Sequence, residues 1–63
     1  MIETKEEFYN YYKDRIKNMT KEKKIEWLEE VKFGIDMIDR WQQRDYNAID
    51  SINKILKEIK EGN

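Results

Sequence analysis

Gln42-Gln43-Arg44-Asp45-Tyr46-Asn47 is the stretch on which the architecture turns. Two apolar series flank it. Leu28, Val31, Ile35 and Ile38 precede it, and Ile49, Ile52, Leu56 and Ile59 follow it, each series advancing by steps of three and four. Such spacing lines one side of an α-helix. If residues 42–47 turn, the two series belong to two antiparallel helices. If they run straight, the series belong to one helix over about 21–61.

The straight reading has one argument in its favour. Both series share a single heptad register in which only Gln42 and Asp45 are polar, and Trp27, Gly34, Trp41, Ala48 and Ile55 stay in phase beside them. A helix of that length would span ~60 Å. It could bury its apolar face only against another chain, as a coiled coil with a polar layer that sets register. Short chains ordinarily fold back on themselves, and Asp45 is a usable helix cap, so the turn is preferred.

Upstream, Thr4-Lys5-Glu6-Glu7 matches a capping box, in which the Thr hydroxyl and the Glu carboxylate serve each other's backbone N–H groups. Phe8, Tyr12, Ile16 and Met19 then form one stripe, with Tyr9 beside it and Tyr11 well off it. Thr20 is a second N-cap candidate. At the far end Glu61-Gly62-Asn63 reads as a helix terminus with Gly62 beyond the last turn. The expected fold is all-α: a small three-helix bundle with helices at about 4–18, 21–42 and 46–61, in one domain over residues 1–63.

Composition sharpens this picture. A chain of 63 residues can bury only about 60 % of its unfolded surface, so the core alone is a marginal source of stability. There is no Cys and no His, which removes disulfides and the usual structural zinc sites from consideration. Regular helix packing or self-association must supply the rest, and a homo-oligomer, in the simplest case a dimer, is expected. Charged residues make up 43 % of the chain, yet nine Ile and eight aromatics recur periodically, so a folded chain is expected rather than a disordered one. No apolar run approaches the ~20 residues that cross a bilayer, and Met1–Glu7 is too polar for a secretory signal, which points to the cytoplasm and away from membranes.

Groups suited to catalysis are scarce. Proton transfer near neutral pH and nucleophilic attack rely mostly on His, Cys or an activated hydroxyl. Thr4 and Thr20 read as caps, and Ser51 has only carboxylates as potential bases among its helical neighbours. Asp36 with Asp39 and Glu26 with Glu30 share helix faces, but each pair has cationic neighbours and reads as a solvated surface. No Gly-rich phosphate loop is present. No enzymatic activity, cofactor or metal is therefore expected.

Two features point instead to binding. Phe33 and Met37 lie about 100° or more from the Leu28/Ile35 side, and Trp41 continues their row. A central second helix with two covered faces would explain them, and so would an apolar patch for a partner. With Tyr9 and Tyr11, these three residues are the candidate partner-binding set. The second feature is charge. Lys13, Arg15, Lys17, Lys21, Lys23 and Lys24 stand against Asp14 and Glu22, a net +4 within residues 13–24, just after the aromatic run Phe8-Tyr9-Asn10-Tyr11-Tyr12. That is the footprint expected of a nucleic-acid-binding alternative. The leading expectation is a small non-enzymatic regulator, adaptor or inhibitor, of the kind phages and mobile elements carry, acting on a protein partner. A structural coiled-coil subunit is a further alternative, tied to the continuous 21–61 helix. Gly34, in mid-helix between two Trp residues, is expected to admit a close neighbour.

Overall fold

In a computed structural model, which describes residues 1–62, the chain forms α1 (Lys5–Ile16), α2 (Lys21–Asp36) and α3 (Gln43–Lys60). The preferred turn is present, and the continuous 21–61 helix is not. The molecule's longest dimension is 32 Å, about half of what that helix would need.

The turn falls earlier than the sequence suggests. Residues 37–42 reverse the chain, so α2 ends six residues before the expected boundary and α3 begins three before it. Two observations explain the shift. The backbone N–H groups of Met37 and Ile38 bond back to the carbonyls of Gly34 and Ile35, and the Trp41 indole N–H donates to the Ile35 carbonyl at 3.0 Å. Together they satisfy carbonyls that further helix would otherwise have taken up. On the other side Gln42, not Asp45, is the N-cap residue. Asp45 stands three residues inside the helix, and its carboxylate accepts the Gln42 N–H at 2.8 Å.

The other termini follow the sequence closely. Thr4 Oγ1 accepts the Glu7 N–H at 3.1 Å while the Glu7 carboxylate accepts the Thr4 N–H at 3.0 Å, completing the capping box. Those backbone and hydroxyl donors hold the Glu7 carboxyl below the usual value for glutamate. Thr20 Oγ1 accepts the Lys23 N–H at 3.2 Å. Gly62 takes a positive φ of 81°, which suits a residue without Cβ, and its N–H bonds to the Ile59 carbonyl. Asn63, the last residue of the expected terminus, lies outside the described residues.

α3, not α2, is the central helix. It buries Ala48, Ile49, Ser51, Ile52, Ile55 and Leu56, whereas α2 fully buries only Leu28. α1 packs Phe8, Tyr12 and Ile16 on one side of α3, and α2 packs Leu28 on another with Val31 and Ile35 half-buried. Leu28, Ile52 and Ile55 are fully enclosed. Tyr12 bridges α1 and α2, its ring meeting Trp27 edge-on at 6.0 Å. Small side chains let α1 approach α3. The buried Ser51 hydroxyl lies 2.8 Å from the Lys5 carbonyl and 2.9 Å from the Asn47 carbonyl, and its one proton serves these two acceptors. Ser51 is thereby a packing residue between two helices. Asn47 reinforces the same junction by donating to the Glu3 carbonyl at 2.8 Å.

Candidate functional site

Because α3 takes the central position, α2 has one covered face and one open face. With 100° between successive residues, Phe33 points about 160° away from both Val31 and Ile35, the residues that turn inward. Phe33 is accordingly 66 % exposed and Met37 69 % exposed, four residues on and on the same side. The expected second covered face of α2 does not exist in the folded chain. Ile38, assigned by register to the core, has left the helix and is 42 % exposed.

The connection adds aromatics to this end of the molecule. Trp41 is half-buried, anchored by its indole bond to Ile35, and Tyr46 meets it edge-on at 5.0 Å. The Tyr46 ring is itself more than half exposed. The structure thus brings Phe33, Met37 and Trp41 of the predicted set to one end of α2 and adds Ile38 and Tyr46. Neither addition is legible in the sequence as a surface residue: Ile38 fits the heptad, and Tyr46 falls within residues 42–47, where the turn is expected.

The two tyrosines of α1 stand elsewhere. The half-buried Tyr9 donates its hydroxyl to Glu58 Oε1 at 2.8 Å, and Lys54 and Lys13 lie over its ring at 4.9 and 5.8 Å. The hydrogen bond to Glu58, with burial and the carboxylate's charge, pushes the Tyr9 phenol above its ordinary value. Its polar atom and ring are thus engaged within the α1–α3 junction. Tyr11 is exposed and packs edge-on against Tyr12 at 5.5 Å. Tyr12 itself is raised, chiefly by burial and also by Tyr11, against a smaller opposing effect of Arg44.

A shallow depression runs along the open face of α2, lined by Glu22, Ile25, Glu26, Glu29, Glu30 and Phe33. Its polar components are all carboxylates. Glu26 faces Lys23 and Glu29 faces Lys60, each at 3.7 Å and in solvent, where such pairs contribute about 0–1 kcal/mol. Neither Glu22 nor Glu30 has an ion-pair partner among the described residues.

The basic set is spread around the α1–α2 junction. Lys13, Lys17 and Lys24 share a depression with Ile16, Ile55, Glu58 and Ile59, while Lys21 and Lys24 line another beside Gly62. Lys17 pairs with Asp14 at 3.2 Å and Lys23 with Glu26. Arg15 lies exposed in the last turn of α1. Among the described residues no three acidic side chains converge as a metal-ligand set, and no helix is long and apolar enough to cross a membrane.

No protein-family model, curated protein or solved structure matches the chain.

Proposed function

We propose that the protein is a non-enzymatic interaction module that presents the open face of α2 and the following connection to another protein. One observation carries this reading: Phe33, Met37 and Ile38 stand exposed together at one end of a chain whose core is otherwise closed. Large apolar side chains grouped on a small domain mark a surface awaiting a partner more often than solitary ones do. The flanking Trp41–Tyr46 pair supplies the aromatic type that dominates binding energy at interfaces.

A photo-crosslinking amino acid placed at position 33, with Asn53 on the exposed side of α3 as the control position, tests this in the native host. Crosslinks to one discrete protein from position 33 and none from position 53 are the expected result. Indistinguishable patterns from the two positions would remove the proposal. Self-association is examined on the same protein by equilibrium sedimentation at micromolar concentrations.

Nucleic-acid binding is the second reading, supported by the convergence of Lys13, Lys17 and Lys24 in one depression. It requires affinity for DNA or RNA that falls steeply between about 50 and 200 mM salt. Glu58 within that depression and Asp14 beside Lys17 weaken it. The coiled-coil subunit loses its support with the break at residues 37–42.

A further inference from the structure

Resting on the interaction reading above, we infer that the partner of the α2 face is a cationic segment carrying an apolar anchor: an amphipathic basic helix or a Lys/Arg-rich peptide with a bulky hydrophobic residue. The argument is the charge that surrounds the apolar patch. On the helix surface Glu22, Glu26, Glu29, Glu30 and Met37 all fall within about 60° of Phe33. The open ridge therefore reads as four carboxylates followed by two large apolar side chains, and Ile25 lines the depression shared by the carboxylates and Phe33. Between the cations Lys21, Lys23 and Lys24 at the start of α2 and Arg40 after it, residues 25–39 hold Glu26, Glu29, Glu30, Asp36 and Asp39 against Lys32, a net charge of −4.

The same charge argues against a second copy as occupant. A two-fold dimer places a patch against itself. Two copies packed in parallel across Phe33 would bring two rows of glutamates together, and an antiparallel pair centred on Phe33 would set Glu30 against Asp36 of the other copy; like charges juxtaposed at an interface cost several kcal/mol. A copy offering its basic 13–24 junction instead would leave its own α2 face open and build an unclosed chain of subunits. A cationic partner meets no such conflict. Its charges face carboxylates, of which Glu22 and Glu30 are free of ion pairs among the described residues. Its anchor meets Phe33 and Met37.

The test uses three synthetic probes of about 15 residues, the length at which an isolated helix begins to hold. One presents Lys with two Leu on the opposite face, the second replaces Lys with Glu, and the third keeps Lys and replaces Leu with Ser. Each is titrated into the isotopically labelled full chain, and amide chemical shifts are followed at about 50 and 200 mM salt. The Lys/Leu probe is expected to shift residues 22–38 and to bind at least about tenfold more tightly than either control. Phe33→Ser should weaken it about tenfold. The double variant Glu26→Gln with Glu30→Gln should weaken it comparably and flatten its salt dependence, while Asp14→Asn should leave it unchanged. Exposed positions keep all four substitutions compatible with folding, which unchanged shift dispersion verifies.

Shifts confined to α1 and α3, or equal affinity for the three probes, would overturn the inference. Binding of the Glu/Leu probe at residues 33–38 would reject the cationic partner and leave the interaction module standing. Sedimentation as a dimer that Phe33→Ser dissociates would make a second copy the occupant and likewise reject it. If no probe binds although position 33 crosslinks to a protein, the partner class is wrong and the interaction reading survives.

Discussion

Replacing Gly34 with Ala should stabilise the protein. Gly34 lies in the last turns of α2, and a Cβ built there meets nothing within 4 Å. The close neighbour expected from the sequence is therefore missing from the folded chain. Its backbone is ordinary helix, with no positive φ. The substitution thus removes backbone freedom from the unfolded state and adds no clash to the folded one. Ala exceeds Gly by about 0.8–1.0 kcal/mol in a helix interior. Position 34 is two residues from the end of the helix, where fraying shares out the gain, so about 0.5–0.8 kcal/mol is the reasoned range. For 63 residues the entropy of unfolding is about 130 cal/mol/K, which converts that range into a rise in Tm of about 4–6 °C. Thermal melts followed by circular dichroism at several protein concentrations measure it, with sedimentation as the check on mass. A lower Tm at unchanged mass would refute the reasoning, because it would require a contact at Gly34 that the fold does not contain. A lower Tm with loss of a dimer would place a second helix against Gly34.

Other consequences follow from the packing and the titrating groups. Leu28→Ala removes the only fully buried side chain of α2 and should cost about 2–5 kcal/mol, enough to abolish cooperative unfolding in a domain this small; the exposed Phe33→Ala should stay within about 0.5 kcal/mol in the same denaturant titration. Tyr9 and Tyr12 both have folded-state pKa values raised above the ordinary 10.0. Their contribution to stability is complete below about pH 10 and is lost as pH rises through the folded-state values, so Tm should fall on that alkaline side and fall less steeply in Tyr9→Phe. Glu7 has the opposite sign: its depressed pKa adds stability that is present above 4.5 and lost as pH falls, so Glu7→Gln should flatten the acid side of the same profile. Native-state hydrogen exchange should release the α2 amides of residues 25–35 before those of residues 49–56 in α3. Equal protection across the two helices would show that they open together.

What could be read from the sequence was what is local. The capping box at Thr4 and Glu7, the cap at Thr20 and the Phe8–Tyr12–Ile16 stripe each depend on residues three or four apart, and each holds in the fold. The end of α2 depends on residues beyond the helix: Trp41 reaches back to Ile35, and Asp45 completes a cap on Gln42, a residue type with little capping preference of its own. The unbroken heptad register across residues 37–42 therefore carried no structural meaning, and it placed Ile38 in a core that it does not enter. The choice of central helix was hidden for a related reason. Periodicity counts the apolar faces of a helix but does not say which neighbour covers them. α2 carries two such faces, yet α3 takes the middle, in contact with both other helices and tied to the start of α1 through the Ser51 hydroxyl. The exposed apolar patch is legible in part. Phe33, Met37 and Trp41 stand out by phase, whereas the carboxylates beside them form an open ridge only because no other helix covers that side of α2.

That open helix is also the one least supported by its own sequence. α1 has Glu6 and Glu7 in its first turn and Lys13 and Arg15 in its last, and α3 has Asp45 at its start and Lys57 and Lys60 at its end, all favourable toward the helix dipole. α2 reverses the pattern: Lys21, Lys23 and Lys24 crowd its start against Glu22, its last turn has no cation, and Asp36 closes it. It also holds an interior Gly and one fully buried side chain. A helix so composed gains more from an external partner than either of its neighbours would. A cationic segment along Glu22–Glu30 would offset the repulsion among its carboxylates, and cover on Phe33 and Met37 would add the second apolar contact that the bundle does not provide. Because a ligand that binds only the folded state stabilises it in proportion to RT ln(1 + [L]/Kd), docking on α2 and the integrity of α2 are thermodynamically one equilibrium. On the proposed reading, Phe33 and Met37 contribute little to the free chain, and a partner that covered them would add its binding free energy to the stability of the fold.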